Sequence, residues 1–519
     1  MRLLRFYIGQ YRVLRDLDLR FDPQALQSAE KDTNRRYYLD FLVGVNGTGK
    51  STVLQLLGRI FHAVSQSYDA LGNIPFILEY YLESKQQMVQ IASVDPDAPE
   101  RCEMWGAYWV RTARSLDQNW LSMDLKDAVD TDLLPERVIA HTTGNEAAWL
   151  AHTTPYPLEG SSSEAIRDLT PDQVAAGEMP GWEVPDLYNR EENRGSPFRL
   201  VRQEEAPMVA LAGLLRHSIW HSTCERSSPL TEVLNEIKIQ ELAGFSLQFD
   251  LSWASHGERN DIWERFGQYA DRAIRNGGKV LLVFTSEKFS KVLEANTNAL
   301  SLFEIMADWY RRDPPLLSGV NLFLKRNEGK DGSRERPPLH TWEWLSDGER
   351  SFLARMCLFM LFSESESLIL LDEPEVHFND FWKRQIVFTL DQILRESEHK
   401  NHVLIASHSS ITLSDVNPND ILILERPGLF TEGAKMPTIQ TFGAEPGDIM
   451  VHVFGAPNAA GEHSVRTVEE WLKEAYDKPP DERREYLRER LRHVSPGYWA
   501  YRIRRAMVEV SNDPRGPLA

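Results

Sequence analysis

The segment that most constrains the fold lies near the N-terminus, where an apolar run leads into a glycine-rich loop. Phe41-Leu42-Val43 is followed by Gly44-Val45-Asn46-Gly47-Thr48-Gly49-Lys50-Ser51-Thr52. Beyond the loop, apolar residues recur at helical spacing from Ser51 to Ser65. This order predicts a buried strand, a P-loop and a helix, an arrangement that presents the N-terminus of the helix to phosphate.

The glycines of this loop allow its backbone to wrap closely around phosphate groups. Lys50 is predicted to contact the β- and γ-phosphates of a nucleotide, and the Ser51 hydroxyl to bind Mg²⁺. The residues predicted to bind the nucleotide here are Asn46, Gly47, Thr48, Gly49, Lys50, Ser51 and Thr52.

A second motif region lies far along the chain and ends in two acids. Leu345-Ser346-Asp347-Gly348-Glu349 opens an apolar stretch, and Leu368-Ile369-Leu370-Leu371 then leads into Asp372-Glu373-Pro374. A carboxylate at the end of a buried parallel strand is in the position of a Walker B ligand, so we predict that Asp372 binds Mg²⁺ together with Ser51. Glu373 is predicted to be the general base that polarises the attacking water. The cofactors predicted from both regions together are ATP and Mg²⁺.

Ser346 and Gly348 stand at the start of a predicted helix that runs to Phe362. Ser346 and Glu349 also fit a capping box, and this structural role is compatible with phosphate binding because both use the positive end of the helix. We predict that Ser346 acts in catalysis and that Gly348 contacts the nucleotide. His408, which follows an apolar run, is predicted to be catalytic by hydrogen-bonding the γ-phosphate or a water.

Strands that alternate with helices on either side of the P-loop predict an α/β fold with a mostly parallel sheet and helices on both faces. Residues 1–22 are predicted to form an antiparallel hairpin, with Gly9-Gln10 between its two runs, and residues 23–37 a loop. Further strands are predicted within 74–112 and at 403–406 and 421–424. Helices are predicted near 208–220, 229–243, 261–276, 288–310 and 379–395, and over 465–512 with a break at 495–497.

We predict four parts along the chain. Residues 1–112 form an N-terminal ATPase lobe with the P-loop, and 113–340 form a mixed, mainly helical insertion. Residues 341–464 form a C-terminal ATPase lobe, and 465–519 a C-terminal helical tail. No sustained heptad pattern occurs, so a long coiled-coil arm is not expected.

Composition limits the class of protein. The chain has 519 residues and a net charge of −19, and this acidity argues against a dedicated nucleic-acid binder. No apolar run approaches the length of a membrane span, so no membrane contact is expected. Cys102, Cys224 and Cys357 lie far apart without a CxxC pair, which favours a reducing cytoplasm over disulfides or a zinc site.

Several assignments stay open on sequence grounds. A glutamine that senses Mg²⁺ is expected after the P-loop, and several compete for this role. Tyr11 and Arg12 either approach the nucleotide or lie on the surface, and His377 and Asn379 are expected at a dimer interface. The turn Thr142–Glu146 has no assigned role. The competing glutamines are Gln86, Gln87, Gln90 and Gln118.

The order of P-loop, LSxGE signature, Asp-Glu pair and strand ending in histidine resembles that of ABC-type ATPase heads. It is similar to the branch that contains chromosome-maintenance, recombination-repair and overcoming-lysogenization-defect ATPases. A closer resemblance is to the ATPase of Septu-type anti-phage systems, PtuA, including its retron-associated relatives. The residues that carry it are Leu345–Leu353, Asp372–Asp380, Leu134–Ile139, Gly144–Glu146 and Pro496–Tyr498.

This resemblance implies a homodimer, or a higher oligomer built from it, in which each P-loop faces the signature helix of the other chain. It also implies a separate HNH-type nuclease or other effector as partner, through which nucleic acid could be contacted. Two alternatives stay open. Strong ATPase stimulation by DNA ends without a partner would favour a DNA-repair or chromosome-organising ATPase, and plasmid cleavage by the pure protein would favour an autonomous nuclease.

Overall fold

The computed structural model divides into two compact units, Met1–Ile449 and Met450–Ala519. It describes residues 1–21, 37–65, 74–97, 104–113, 120–150, 196–223, 228–326, 339–362, 365–395, 397 and 400–508.

The strands, in chain order, are β1 (Arg2–Tyr11), β2 (Leu14–Arg20), β3 (Tyr38–Val43), β4 (Phe76–Leu82), β5 (Gln87–Val94), β6 (Met104–Ala113), β7 (Leu121–Met123), β8 (Arg137–Thr142), β9 (Phe198–Val201), β10 (Ile239–Asp250), β11 (Arg272–Asn276), β12 (Lys279–Thr285), β13 (Leu317–Arg326), β14 (Leu339–Thr341), β15 (Ser367–Asp372), β16 (His402–Ser407), β17 (Ile421–Glu425) and β18 (Gly433–Lys435).

The α-helices, in chain order, are α1 (Lys50–Ser65), α2 (Leu125–Asp130), α3 (Glu146–Leu150), α4 (Ala206–Thr223), α5 (Leu230–Glu236), α6 (His256–Arg265), α7 (Phe289–Ala295), α8 (Ala299–Arg311), α9 (Asp347–Phe362), α10 (Asp380–Arg395), α11 (Ser410–Leu413), α12 (Pro446–His452), α13 (Glu462–Tyr476), α14 (Pro480–Leu491) and α15 (Tyr498–Val508).

The central sheet has the order β18-β17-β3-β16-β15-β8-β9, and its strands are parallel except for the edge strand β18. Its inner strands β15 and β16 are buried along their whole length, as expected for parallel strands that are covered on both faces. The predicted α/β fold class, with a mostly parallel sheet, is therefore confirmed.

A second sheet, which we call the N-terminal sheet, is antiparallel in the order β2-β1-β4-β5-β6-β7. The predicted hairpin at residues 1–22 is confirmed, but its predicted turn is wrong. Gly9 and Gln10 lie inside β1, and the turn is Arg12-Val13, because Tyr11 pairs with Leu14 and Arg12 adopts a left-handed φ of 54°. Of the loop predicted at 23–37, residues 23–36 lie outside the described residues.

Helix α1 shares one hydrophobic core with both of these sheets. Its buried residues Leu57 and Phe61 belong to the same cluster as Leu42 and Leu404 of the central sheet and Phe6 of the N-terminal sheet. Each buried side chain of this size contributes roughly 1.5–3 kcal/mol relative to its exposed state. The P-loop at the start of α1 is thus held by a helix with apolar partners on both sides.

The predicted insertion contains a third, antiparallel sheet with the order β11-β12-β10-β13-β14. Two helix predictions are therefore wrong in part. The helix predicted at 229–243 ends at Glu236, because Lys238 adopts a left-handed φ of 58°, and the chain continues as β10. The helix predicted at 261–276 ends at Arg265, and residues 272–276 form a hairpin with β12 across Gly277-Gly278.

The same predicted insertion also supplies β8 and β9 to the central sheet. The division of the chain into four parts stays a prediction.

Among the described residues, we find no helix with the length and hydropathy that a bilayer span requires.

The second compact unit has a small core of its own, built from α13, α14 and α15 around Leu472, Leu487 and Ile503. The predicted break at 495–497 is confirmed, since α14 ends at Leu491 and α15 begins at Tyr498. A further break at 477–479 separates α13 from α14 and was not predicted. It coincides with Pro479-Pro480, which favour a helix start over a helix interior.

Close packing of α4 against α9 gives a stability prediction. A Cβ atom at Gly213 would lie 2.5 Å from Cβ of Cys357, so Gly213→Ala should lower the free energy of unfolding by about 1–3 kcal/mol. Gly257→Ala in α6 is the matched control, because no atom lies within 4 Å of its added Cβ. Urea titration should therefore show a loss of stability for Gly213→Ala alone, and equal stability of both variants would contradict the described packing.

Candidate active site

The carboxyl ends of four parallel strands meet at one edge of the central sheet. Val43 at the end of β3 pairs with Ser407 of β16, and Asp372 at the end of β15 pairs with Ala406 of β16 and Thr142 of β8. The segments that follow these strands therefore lie side by side. This register brings the P-loop, the Asp-Glu pair and the loop with His408 together, although they are distant in sequence.

Backbone geometry within the P-loop explains two of its glycines. Gly47 and Gly49 adopt φ values of 83° and 87°, which side chains with a Cβ rarely tolerate. A Cβ at Gly49 would also lie 2.6 Å from a methyl carbon of Leu14, because the turn of the first hairpin packs on the loop. The turn thereby supports the loop.

Lys50 is the first residue of α1, and its side chain folds back over the P-loop. Its Nζ donates hydrogen bonds to the carbonyl oxygens of Gly44 at 3.0 Å and Val45 at 3.4 Å. Burial lowers the pKa of the Lys50 ammonium to about 8, against the opposing attraction of nearby carboxylates, of which Glu373 and Asp372 act most strongly. The loop thus holds a poorly solvated cation next to a group of acids.

Asp372 is held between two hydroxyl groups. Ser51 Oγ donates to Asp372 Oδ1 at 2.8 Å, and Thr142 Oγ1 donates to Asp372 Oδ2 at 3.1 Å. Burial, with a contribution from the Glu373 carboxylate, raises the pKa of Asp372 despite these two hydrogen bonds. Thr142 was not predicted as a site residue. The available signal was an apolar run ending in Thr142-Thr143-Gly144, which matches the other strand ends at this edge.

Glu373 and His408 form a second contact at the same edge. His408 Nε2 lies 3.1 Å from Glu373 Oε1, and both side chains are partly exposed. Hydrogen bonding and charge from His408 hold the pKa of Glu373 below its usual value in spite of burial. Glu373 has a left-handed φ of 51°, and its N–H donates to the carbonyl oxygen of Ala406 at 2.9 Å. The Glu373 carboxylate thus lies against the His408 ring, at the residue directly after Asp372.

Ser346 and Gly348 lie at the N-terminus of α9. The capping box is present: Ser346 N–H donates to Glu349 Oε2 at 2.9 Å, and Glu349 N–H donates to Ser346 Oγ at 3.3 Å. Glu349 is also paired with Arg326 at 2.6 Å. Among the contacts between described residues, none joins Ser346 or Gly348 to the P-loop of the same chain. The capping role is thus observed, and contact of Ser346 or Gly348 with a nucleotide stays a prediction.

The segment after β17 contacts the P-loop, and no motif or periodicity in the sequence indicates this contact. Arg426 Nη1 donates to the carbonyl oxygen of Gly47 at 2.6 Å, and Thr431 Oγ1 donates to that of Thr48 at 2.8 Å. Thr431 also bonds the backbone of the first hairpin, where its N–H donates to Val13 O at 2.7 Å. These contacts support the P-loop from the side of β17, whereas Asp372 lies on the other side of β3 in the strand order.

Two candidate glutamines lie away from the P-loop. Gln86 and Gln87 stand at the β4–β5 turn beside Glu83, whose N–H donates to Glu366 Oε1 at 2.9 Å just before β15 begins. Glu83 also accepts a hydrogen bond from Tyr38, the first residue of β3. The turn therefore lies at the amino ends of the parallel strands, whereas the P-loop follows their carboxyl ends.

The remaining open assignments are placed as follows. Gln90 donates to Glu79 within the N-terminal sheet at 2.8 Å, and Gln118 lies outside the described residues. Asn379 Oδ1 accepts from the N–H of Trp382 at 2.8 Å and so caps α10. The arginine–tyrosine pair Arg12 and Tyr11 stands at the hairpin turn next to the P-loop, with the guanidinium 5.5 Å from the ring centre. His377, with a φ of 71°, is exposed.

The residues at this edge fit Mg²⁺ and a nucleotide triphosphate. Ser51 and Asp372 already share a hydrogen bond, so a hydroxyl and a carboxylate oxygen converge as Mg²⁺ ligands require. Mg²⁺ typically takes only one or two protein oxygens and completes its shell with phosphate and water. A loop with glycines in left-handed conformations at the start of a helix suits phosphate. These donors are therefore of the types that Mg²⁺ and phosphate groups require.

Comparison with known proteins agrees with this geometry. Residues 253–415 match the family model described as "AAA domain, putative AbiEii toxin, Type IV TA system". The matched segment is less than half of the chain and contains the start of α9, the Asp-Glu pair and His408. Together with the P-loop and the parallel sheet, the match supports the predicted α/β P-loop ATPase fold. A search of curated proteins found no match.

Three solved structures are similar to the chain. The SMC head domain from Thermotoga maritima has 10% sequence identity and a TM-score of 0.34, over 85% of this chain and 100% of that chain. The SmcHead bound to the C-winged helix domain of ScpA has 11% identity and a TM-score of 0.33, over 85% and 98%. The Smc head domain with an extended coiled coil from Pyrococcus furiosus has 12% identity and a TM-score of 0.32, over 85% and 96%.

We expect proton loss from Lys50 to stabilise the folded protein at alkaline pH. The ordinary pKa of 10.5 applies in the unfolded chain, whereas the pKa in the folded protein is about 8. Between these values the unfolded state binds more protons, so the free energy of unfolding rises with pH on account of this residue. The wild type should therefore gain stability relative to Lys50→Met from pH 8 to pH 10.5 in urea titrations. Parallel curves for the two proteins would contradict the burial of this ammonium.

Proposed function

We propose that the chain is an ATP hydrolase whose active site lies at the carboxyl edge of the central sheet. The observation that carries this proposal is the convergence of the P-loop hydroxyl of Ser51 on the strand-end carboxylate of Asp372. Asn46 to Thr52 would surround the phosphates with backbone N–H groups, and Lys50 would exchange its carbonyl partners for phosphate oxygens. Bound Mg²⁺ would neutralise charge that develops on the phosphates.

Glu373 is proposed as the general base for the attacking water. Hydrogen bonding and charge from His408 hold the pKa of Glu373 below its usual value, so the carboxylate is ionised at neutral pH but accepts a proton less strongly than an unperturbed glutamate. His408 stands within hydrogen-bond distance of that carboxylate. In this proposal it orients Glu373 and stabilises the charge at the γ-phosphate. Asp372 differs from Glu373 because it is buried and hydrogen-bonded to two hydroxyls, which suits a metal ligand rather than a proton carrier.

We propose that a second copy of the chain completes the site. Ser346 is exposed at the N-terminus of α9, where the helix dipole favours an anion. The exposure of Ser346 is compatible with contact from a second chain. Ser346 and Gly348 would then approach the γ-phosphate bound to the partner's P-loop, and His377 and Asn379 would lie near the interface. ATP would favour the closed dimer because it binds both faces at once.

The proposed biological role is to gate an associated effector, a nuclease of the HNH type in our hypothesis, during phage infection. The resemblance to Septu-type ATPases supports this role, as does the matched family description, which names a putative toxin of a TA system. Closure on ATP and opening after hydrolysis would provide the two states that an effector can read. Nucleic acid would be contacted through that partner.

We expect Glu373→Gln to bind Mg·ATP but to hydrolyse it about 10²- to 10⁴-fold more slowly, because the amide cannot accept the proton of the water. With ATP bound and not consumed, the closed dimer should accumulate. Steady-state ATPase assays and size-exclusion chromatography with light scattering measure the two effects. Lys50→Ala is the control that should lose nucleotide binding and dimerisation together.

The role of Ser346 in trans is tested in the same background. Glu373→Gln with Ser346→Arg should still bind ATP but remain monomeric, since the arginine side chain would occupy the interface at the start of α9. A Glu373→Gln protein that turns over ATP at the wild-type rate would contradict the assignment of the base. A double variant that still dimerises on ATP would contradict the composite site.

A further inference from the structure

A third acid, Glu375, lies two residues after the proposed base Glu373 and contacts the loop that carries His408. Glu375 is 4% exposed, and its Oε1 accepts hydrogen bonds from the hydroxyl of Ser407 and from the backbone N–H of His408, the latter at 3.2 Å. Its Oε2 is also buried, and no described residue donates a hydrogen bond to it. A buried carboxyl group with one unsatisfied oxygen lowers stability, so its presence calls for a role other than stabilisation.

The loop that carries Glu375 is fixed from the side of α9. The guanidinium of Arg355 is buried and donates to the carbonyl oxygens of Pro374 and Val376, the residues on either side of Glu375. The same guanidinium lies 4.6 Å from the centre of the Phe378 ring. These contacts hold the backbone of Glu375, so the carboxyl group has little freedom to move away from β16.

The contacts of Glu375 continue into the loop of His408. The Ser407 hydroxyl donates to Glu375 and in turn accepts from the N–H of Ser409 at 3.0 Å. The backbone N–H groups of His408 and Ser409 and the side chain of Ser407 are thereby joined to Glu375 in one hydrogen-bond network. The imidazole of His408 then meets Glu373 at 3.1 Å. A connected path runs from Glu375 through this backbone to the proposed base.

We propose that Glu375 is a positioning residue that holds His408 against Glu373. The inference rests on the proposed function, in which these two side chains act on the γ-phosphate and the water, but the contact itself can be tested without activity. Glu375 touches neither of the proposed ligands and acts through His408. Burial, reinforced by the charge of Glu373, raises the pKa of Glu375. A neutral carboxyl group still accepts both hydrogen bonds through its carbonyl oxygen.

Two substitutions at Glu375 test whether its role depends on accepting hydrogen bonds or on its negative charge. Glu375→Gln keeps an amide oxygen that accepts from Ser407 and His408, so kcat should stay within about threefold of the wild type. Glu375→Ala removes both acceptors and should lower kcat by about tenfold or more, with little change in KM for ATP. Ser407→Ala removes the hydroxyl that links Glu375 to the N–H of Ser409 and should also lower kcat.

A double-mutant cycle with His408→Ala tests whether Glu375 acts through His408. If it does, the Glu375→Ala/His408→Ala protein has nearly the kcat of His408→Ala alone. Losses that multiply would show an independent role and overturn the proposal. Thermal unfolding of each variant identifies any that fail to fold, in which case Ser407→Ala replaces Glu375→Ala in the cycle.

A spectroscopic measurement keeps the inference distinct from the ATPase assignment. With ring-labelled histidine, the His408 signal is identified by its loss in His408→Ala. In Glu375→Ala and Ser407→Ala it should shift toward its position in Glu373→Gln, where the partner carboxylate is absent. A His408 signal that is unchanged in Glu375→Ala would overturn the positioning role, whether or not the protein hydrolyses ATP. An inactive wild type with the expected shifts would instead overturn the proposed function alone.

Discussion

The buried Asp372 carboxylate is the constraint on which the rest of the site depends. Its two oxygens accept from Ser51 on α1 and from Thr142 on β8, so one side chain links three elements that lie far apart in sequence. A carboxylate without such partners would be costly at this depth. The hydrogen bonds offset that cost only when β3, β16, β15 and β8 are in register. The geometry of the site therefore depends directly on the register of these four strands.

The carboxylates and the ammonium group at this edge are placed to bind a ligand with both a cation and anionic groups, such as Mg²⁺ with phosphates. Asp372, Glu373 and Glu375 lie near one another and near Lys50, and burial raises the pKa of Asp372 and Glu375 while lowering that of Lys50. Burial, which limits the solvation of these groups, is the main cause of each shift. A divalent cation would oppose the upward shift in the pKa of Asp372, and phosphate oxygens would oppose the downward shift in the pKa of Lys50, because each supplies the opposite charge. The protein holds its donors in place at a cost to its own stability.

Local sequence patterns predicted those parts of the site that rest on neighbours in the chain. The strand, loop and helix around Lys50 and the apolar strand before Asp372 follow from periodicity and from residue types with known chemistry. Arg426 could not be found in this way, because it reaches the P-loop only through the place of β17 beside β3. Thr142 has the pattern of a strand end, but its position beside Asp372 depends on strand order. Glu375 was read as part of a motif, and its hydrogen bonds depend on how the loop folds back onto β16. The sequence predicts helix over part of the insertion sheet because Ile239, Leu242 and Phe245 of β10 have a spacing compatible with a helix. β11 has only two adjacent apolar residues and is a strand through its pairing with β12.

The most direct measurement compares ATP binding with and without Mg²⁺ by calorimetry in the wild type and in Asp372→Asn. Asparagine keeps an oxygen for one hydroxyl and nearly the same volume, so the fold should persist while the metal ligand is weakened. Our account predicts that Mg²⁺ tightens ATP binding to the wild type and has little effect on Asp372→Asn. An equal gain from Mg²⁺ in both proteins would contradict the claim that Asp372 and Ser51 form the metal end of the nucleotide site.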